Sequence, residues 1–190
     1  MIIVVASIIA VATVPLCGRS LAPLASLALR RVWLVWLSIS LQLVITLVPS
    51  FPAALGEPVH LFTFAASAAF LWSNRHIAGV VAISVGAALN LSAIAANGGT
   101  MPASAWAWRT AGFPTPSDGF ENSSIVHSAR LPWLGDIFAI PHGWPLANVF
   151  SIGDLVIVVG VGYLAHRAGR AMIVSEHDAQ PAPASLAPSR

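Results

Sequence analysis

The sequence has very few charged residues, and it contains no lysine. Only 8% of its 190 residues are charged, whereas about a quarter of a soluble domain normally is. With 57% hydrophobic residues, the chain could not keep its apolar surface out of water as a soluble domain. Its small positive charge does not indicate a nucleic-acid partner. The composition therefore predicts an integral membrane protein whose first partner is the lipid bilayer.

Cysteine is also nearly absent. The single Cys17 cannot form an intramolecular disulfide, and it has no second cysteine with which to bind a metal. We interpret it as a small apolar residue at the end of a helix. The sequence predicts no cofactor.

Apolar segments make up most of the chain. A membrane-spanning helix needs about 20 apolar residues, with a range of about 17 to 25. The first segment lacks the basic residues that begin a signal peptide, so we expect it to be retained. The predicted fold class is an all-α integral membrane protein, with one membrane domain over residues 1–173. About five transmembrane helices are predicted, near residues 2–17, 32–49, 56–73, 77–96 and 149–168.

Arginines mark every second connection between these segments. By the positive-inside rule these connections face the cytoplasm, which places the N-terminus outside and the C-terminus inside. The long segment 97–148 then lies on the outer face. Residues 174–190, with their Pro-Ala-Ser run, are expected to form a disordered cytoplasmic tail. The arginines that set this topology are Arg19, Arg30, Arg31, Arg75, Arg167 and Arg170.

The outer segment is rich in aromatic residues. Aromatic rings anchor proteins at the headgroup level of a membrane, so we expect this segment to lie on the outer leaflet as a lid. It holds four of the seven tryptophans: Trp106, Trp108, Trp133 and Trp144.

Few polar side chains lie within the predicted spans. Gln42 and Asn90 are expected to form interhelical hydrogen bonds, because an unsatisfied amide is costly in hydrocarbon. His60 follows Glu57 by three residues, and the two either share a proton on one helical face or are simply wetted at the interface. Asp154 has no such ordinary explanation, since an ionisable residue within a span is a functional-site hypothesis by default.

Asp154 forms a candidate pair with Asp136, which precedes it in the outer segment. The turn at Pro141-His-Gly-Trp-Pro145 is able to fold Asp136 back towards Asp154. Ser151 or Asn148 is a candidate helix cap, and the positive helix end favours an anionic Asp154. Two neighbouring carboxyl groups at low dielectric cannot both ionise easily, so one stays protonated while the other acts as a base on water. If the two carboxyl groups approach within hydrogen-bonding distance, they have the arrangement of a two-aspartate hydrolase.

The stretch from Asp136 to Asp154 resembles the C-terminal part of signal peptidase II, the bacterial lipoprotein signal peptidase. That family has an aspartate followed by apolar and aromatic residues, and then Phe-Asn-x-Ala-Asp at the start of its last span. Here the second element is Phe150-Ser-Ile-Gly-Asp154. The resemblance implies that Asp136 and Asp154 are catalytic on the outer face and cleave within or beside the bilayer.

A longer part of the chain resembles an uncharacterised bacterial family of multi-pass membrane proteins, domain of unknown function 5317. The resemblance consists of the order of short apolar spans and of three motifs, Asn97-Gly-Gly-x-Met-Pro, Leu134-Gly-Asp and Ser151-Ile-Gly-Asp. It implies a location in the bacterial plasma membrane and the site residues, but no activity.

Three hypotheses follow. The first is an intramembrane aspartyl hydrolase acting on a membrane-embedded peptide, with Asn97 and the tryptophan lid shaping its site. The second is a non-enzymatic membrane subunit or assembly factor with a protein partner, in which the aspartates pair with Arg109 or Arg130. The third is a metal or small-solute site in which His127 and His142 join the aspartates. The residues expected to support the site are Asn97, Asn148, Ser151, Arg109, Arg130 and Trp144.

Overall fold

The fold is mainly helical in the computed structural model, which describes residues 2–48, 51–114 and 123–178. Residues 115–122 of the predicted outer segment and residues 179–190 of the predicted tail lie outside the described residues. A single 3₁₀ turn is described, Pro132–Leu134. The described helices are α1 (Ile2–Leu16), α2 (Ala22–Ala25), α3 (Trp33–Leu47), α4 (Ala53–Ser73), α5 (Val80–Ala96), α6 (Ala105–Ala111) and α7 (Ile152–Asp178).

Two of the helices are long and apolar enough to cross a membrane, Ala54–Ser73 in α4 and Ile152–Arg170 in α7. The apolar helices α1, α3 and α5 are shorter, with 15, 15 and 17 residues. Large apolar side chains are exposed on the outside of these helices, among them Val4, Trp36 and Val159. An apolar exterior together with two candidate spans indicates association with a membrane.

The five apolar helices pack side by side. Helix α4 packs between α3 and α5, and α7 packs between α5 and α1. The approach of α5 to α7 is close because glycines meet there: a Cβ atom on Gly86 or Gly160 would clash with the backbone of the facing helix. Small residues at such positions let helix backbones approach in a membrane protein.

Hydrogen bonds join α3 to α4 along their length. The Gln42 Oε1 atom lies 3.1 Å from His60 Nδ1 and 3.3 Å from Thr63 Oγ1. Nearby, the Ser38 hydroxyl donates to the Thr63 carbonyl at 3.1 Å, and Ser67 donates to the Ser38 hydroxyl at 3.3 Å. The predicted interhelical role of Gln42 is therefore confirmed.

The described part of the outer segment folds over one end of the helices and contains four short strands. Strand β1 (Met101–Pro102) pairs in parallel with β2 (Ser123–Ser124), and β3 (Phe138–Ile140) pairs antiparallel with β4 (Asn148–Phe150). Helix α6 packs against β3 and β4, where Ala107, Ala111 and Val149 form a buried cluster. Because β4 runs directly into α7, this hairpin brings the Asp136 region next to the start of that helix.

The last helix differs from its prediction at both ends. It begins at Ile152 rather than near residue 149, because Asn148–Phe150 pairs with β3 as strand β4. It also continues to Asp178, so residues 174–178 of the predicted disordered tail are helical.

Two asparagines directly after helices hold the connecting segments through matching hydrogen bonds. The side chain of Asn74, after α4, donates to the carbonyl of Arg30 at 2.9 Å and accepts from the Arg30 N–H at 2.8 Å. The side chain of Asn97, after α5, donates to the carbonyl of Arg130 at 2.8 Å and accepts from the Arg130 N–H at 2.9 Å. Each side chain also donates to the carbonyl four residues earlier in its helix. We call these arrangements the Asn74 clasp and the Asn97 clasp.

Candidate functional site

Asp136 and Asp154 line one cavity of about 400 Å³ beneath the folded outer segment. Its walls come from α1, α4, α5, α6 and α7 together with the strands of the outer segment. The turn that was predicted to bring the two aspartates together therefore does bring them to a common space. We call it the carboxylate cavity, and its polar lining residues are His60, Asn90, Ser123, Asp136, Asn148 and Asp154.

Local hydrogen bonds at the start of α7 fix the position of Asp154. The backbone N–H of Ser151 donates to Asp154 Oδ2 at 3.0 Å, and the backbone N–H of Asp154 donates to Ser151 Oγ at 3.1 Å. This reciprocal pair is a capping box, which satisfies two N–H groups that the first turn of a helix leaves without partners. The positive end of the helix also favours a negative charge at Asp154.

Asn90 of α5 links this cap to the neighbouring helix. Its Nδ2 donates to Asp154 Oδ1 at 2.6 Å, and its Oδ1 accepts from the Ser151 hydroxyl at 2.8 Å. All three residues are buried. The interhelical hydrogen bond predicted for Asn90 is thus confirmed, and its partner is the candidate catalytic aspartate.

Gly153 makes room for this network. A Cβ atom at that position would overlap Asn90 Oδ1. Three of the four residues of Ser151-Ile-Gly-Asp154 therefore have a physical role: serine and aspartate form the cap, and glycine leaves space for Asn90. The signal peptidase II pattern has alanine at the glycine position, and this packing does not accommodate alanine.

Asp136 is held in a different way, by the backbone of the outer segment. Its N–H donates to the Pro102 carbonyl at 2.9 Å, and its own carbonyl accepts from the Ser104 N–H at 3.0 Å. Its carboxyl group accepts a hydrogen bond of 2.5 Å from the Ser123 hydroxyl. The residue is 4% exposed, although it lies on a connecting segment rather than on a helix.

Burial raises the pKa of Asp136 to about 6. The dominant cause is loss of water around the ionised carboxylate, and the negative charge of Asp154 acts in the same direction. The hydrogen bond from Ser123 opposes this rise in pKa, because it stabilises the ionised form. Asp136 is therefore able to keep its proton under mildly acidic conditions in which an ordinary aspartate has lost it.

The two carboxyl groups thus have environments suited to different chemical roles. Asp154 receives two hydrogen bonds at a helix N-terminus, which stabilises an anion. Asp136 has one hydrogen-bond donor and a raised pKa, which favours a neutral acid. Carboxyl pairs in which one group holds a proton and the other is ionised provide an acid and a base in one site.

The predicted supporting residues fall into three groups. Ser151 belongs to the Asp154 network, and Asn148 lines the cavity while its Oδ1 accepts from the Val149 N–H at 2.9 Å. Asn97 acts at a distance through its clasp. Three others are exposed and are not among the described residues of the cavity wall: Arg109, Arg130 and Trp144.

Among the described residues, the aspartates are not paired with Arg109 or Arg130 as was predicted. Within residues 2–48, 51–114 and 123–178, the side-chain hydrogen bonds of Asp136 and Asp154 come from Ser123, Asn90 and Ser151. The side chains of Arg109 and Arg130 are exposed instead. A carboxylate at a capped helix end does not require a cation for stabilisation.

The third hypothesis joined His127 and His142 to the aspartates as metal ligands, and the described residues do not show such a cluster. His127 is exposed, and the ring of His142 packs against Gly112. In the part of the chain that the structure describes, no group of three or more histidine, cysteine, aspartate or glutamate side chains is placed to hold a metal ion.

Sequence reasoning missed some of the cavity residues. Ser123 lies 13 residues before Asp136, and only the pairing of β1 with β2 brings it near, so no local pattern points to it. Trp108 was expected at the membrane surface with the other tryptophans, but it is buried and lines the cavity. Two residues of the Asp154 network could be predicted from the sequence: Ser151, as a candidate helix cap, and Asn90, as an amide in a span that needs a hydrogen-bond partner.

The fold and the cavity define a helical protein with an acidic cavity beneath a folded outer segment. The chain belongs to a family of unknown function, DUF5317, whose model matches residues 26–165. This region contains both aspartates, Asn90 and the Asn97 clasp. No curated protein and no solved structure matches the chain. The resemblance to signal peptidase II therefore receives no support.

Proposed function

We propose that this chain is a multi-pass protein of the bacterial plasma membrane, with five transmembrane helices and the carboxylate cavity on the outer face. The apolar helices α1, α3 and α5 support this proposal, because they pack beside the two long helices and share their exposed apolar exterior. The arginine distribution supports an external N-terminus and a cytoplasmic C-terminus.

Cysteine labelling tests this topology, because Cys17 is exposed and is the only cysteine in the sequence. In a Cys17→Ser background, a cysteine introduced in place of exposed Ser128 is expected to react with a membrane-impermeant maleimide in intact spheroplasts. One introduced in place of exposed His76 is expected to react only after lysis. The reverse pattern would contradict the orientation.

Within that topology, the function best supported by the geometry is an intramembrane aspartyl hydrolase. The observation that carries the proposal is that two carboxyl groups in contrasting environments line one cavity. Asp154, as the anion, accepts a proton from a water molecule, whose oxygen attacks the carbonyl carbon of a peptide bond. Below about pH 6, Asp136 is the neutral acid and gives its proton to the carbonyl oxygen. When the tetrahedral intermediate collapses, Asp154 passes the proton it took from water to the leaving nitrogen, a hydroxyl of the intermediate returns a proton to Asp136, and the C–N bond breaks.

This mechanism is tested with purified protein in lipid nanodiscs and a set of quenched-fluorescence transmembrane peptides. Asp136→Asn and Asp154→Asn are each expected to reduce cleavage by a factor of at least about 100, since each removes a group that transfers a proton. Glu57→Gln is the matched control, because Glu57 is a carboxylate of α4 that is not among the described lining residues. Equal rates for all four proteins would rule the hydrolase out.

A second function is favoured by one specific observation. Both described hydrogen bonds to the Asp154 carboxylate belong to a helix cap and a tie between helices, as they would in a non-enzymatic membrane subunit or assembly factor. In that case a protein partner is recovered in stoichiometric amounts by affinity purification in mild detergent. Asp154→Asn then weakens that complex, and Asp136→Asn leaves it unchanged.

A further inference from the structure

A second cavity of about 540 Å³ lies among the helices, next to the carboxylate cavity. It is a groove bounded by α3, α4, α5 and α7, and we call it the interhelical groove. His60 and Phe64 line both the groove and the carboxylate cavity, and their rings make an edge contact with centroids 5.0 Å apart. These two side chains therefore mark where the two spaces adjoin.

The groove has the length of a lipid chain. It follows α4 from His60 to Trp72, and twelve residues of helix correspond to about 18 Å. One leaflet of the hydrocarbon core is about 15 Å deep, half of the roughly 30 Å core. The groove is therefore long enough for one extended alkyl chain that enters from the outer leaflet.

The wall of the groove is suited to an apolar occupant, although several hydroxyl groups lie along it. Ser84 donates to the Val80 carbonyl at 2.8 Å, and Thr63 donates to the His60 carbonyl at 2.7 Å. The Ser38 hydroxyl shares its single proton between the Leu34 carbonyl at 2.9 Å and the Thr63 carbonyl at 3.1 Å. Because the backbone already accepts these hydrogen bonds, the groove does not depend on water or on a polar solute to satisfy its hydroxyls.

The carboxylate cavity, at the outer end, has the opposite character. It contains Asp136 and Asp154, and none of its described lining residues is an arginine. The sequence has no lysine that could take the place of arginine. A head group that is positively charged and donates hydrogen bonds complements such a site, whereas a phosphate or carboxylate head meets like charge.

We propose that the two spaces together bind one amphiphile, with a single alkyl chain in the interhelical groove and an ammonium head in the carboxylate cavity. This inference rests on the proposed outer-face site for the position of the head, and it names the class of molecule that the site holds. Binding does not require hydrolysis, so the two proposals can fail separately.

The proposal is tested by photo-crosslinking of the protein in nanodiscs with hexadecylamine that carries a diazirine at the chain terminus. Mass spectrometry is expected to find the label on residues at the far end of the groove, such as Leu71, Trp72 and Ser84. Labelling spread evenly over lipid-facing residues such as Val81 and Val159 would show ordinary contact with bulk lipid, and would overturn the proposal.

Two alanines of α4 provide a matched pair of variants. Ala68 and Ala65 are both exposed, but only Ala68 is among the described lining residues of the groove. Ala68→Trp fills the groove and is expected to abolish specific labelling, whereas Ala65→Trp is expected to leave it unchanged. Equal labelling of the two variants would show that the alkyl chain does not occupy the groove, and would overturn the proposal.

The head group is tested separately from the chain. At pH 7.5, unlabelled hexadecylamine is expected to compete with the diazirine probe at least about tenfold better than hexadecanol or hexadecyl phosphate, because charge-assisted hydrogen bonds add affinity. Asp136→Asn is expected to reduce this preference at pH 7.5, where Asp136 is ionised, while leaving the Asp154 network in place. Equal competition by all three heads would overturn the ammonium assignment, even if peptide cleavage were observed. If the wild-type protein binds the amine probe in the groove but cleaves none of the peptides, the result would count against the hydrolase alone.

Discussion

Asp154 and Asp136 face the same cavity, but the protein holds them in contrasting ways. Asp154 lies at a helix N-terminus, where its partners are the serine three residues earlier and an asparagine of the adjacent helix. Asp136 lies in a connecting segment, where one serine hydroxyl is the described partner of its carboxyl group. A helix end stabilises a charge by local hydrogen bonds, whereas a buried loop destabilises it by removing water.

Substitutions of Asp154 and Asp136 are expected to have different effects on the free energy of unfolding. Asp154→Ala is expected to lower the free energy of unfolding by about 2 to 4 kcal/mol, because it removes the cap and leaves the buried Asn90 amide and Ser151 N–H without a partner. Asp136→Asn is expected to maintain or raise stability at pH 7, since it removes a desolvated charge. Denaturation of both variants in detergent measures this difference, and an equal loss in the two would contradict the comparison.

The second expected effect is a pH dependence that belongs to Asp136. The folded protein keeps the Asp136 proton up to about pH 6, whereas the unfolded chain releases it near 3.9. Between about pH 4 and pH 6 the folded state binds more protons, so the contribution of this residue to stability falls as the pH rises. The fall is on the order of 3 kcal/mol.

The measurement is the difference between the unfolding free energies of the wild type and Asp136→Asn over this pH range. Above about pH 6 the difference is expected to become constant. A difference that is independent of pH from 4 to 7 would show that burial does not perturb Asp136.

Substitutions of Ser123 and Asp154 are expected to shift the pKa of Asp136 in opposite directions, and these shifts are the smallest of the predicted effects. Ser123→Ala is expected to raise the pKa of Asp136 further, because the Ser123 hydrogen bond opposes the rise. Asp154→Asn is expected to lower the pKa of Asp136, because it removes a neighbouring negative charge. Infrared titration of the protonated carboxyl band in each variant measures these shifts, and shifts in the same direction would refute the assigned causes.

The features that the sequence predicts well are those with local causes. The apolar runs predict the helices α1, α3, α4 and α5, because an apolar stretch between polar connections has few other structures open to it. Ser151 was one of two candidate caps, with Asn148, and it is Ser151 that accepts from the Asp154 N–H, because the hydroxyl three residues earlier is within reach. Asn90 was expected to bond across helices, since a buried amide must find a partner.

The features that escaped prediction depend on long-range packing. The start of α7 was placed too early, because Val149 and Phe150 are apolar like the helix that follows them, and only the pairing of Asn148–Phe150 with β3 makes this segment a strand. The arginine partners proposed for the aspartates were wrong for the described residues, because charge alone does not show which side chains are buried together. The contact of Ser123 with Asp136 depends on a two-residue parallel pairing that has no periodic signal.

Because of the Asn97 clasp, helix α5 helps to position both carboxyl groups. Asn90 and Asn97 are seven residues apart on or directly after α5, which is about two helical turns, so they share one side of the helix. Asn90 aligns Asp154 through its side chain, and Asn97 aligns the segment that leads to Asp136 through the backbone of Arg130. A change at Asn97, which makes no described hydrogen bond to either aspartate, would therefore alter the spacing between the two carboxyl groups without altering the chemistry of either group.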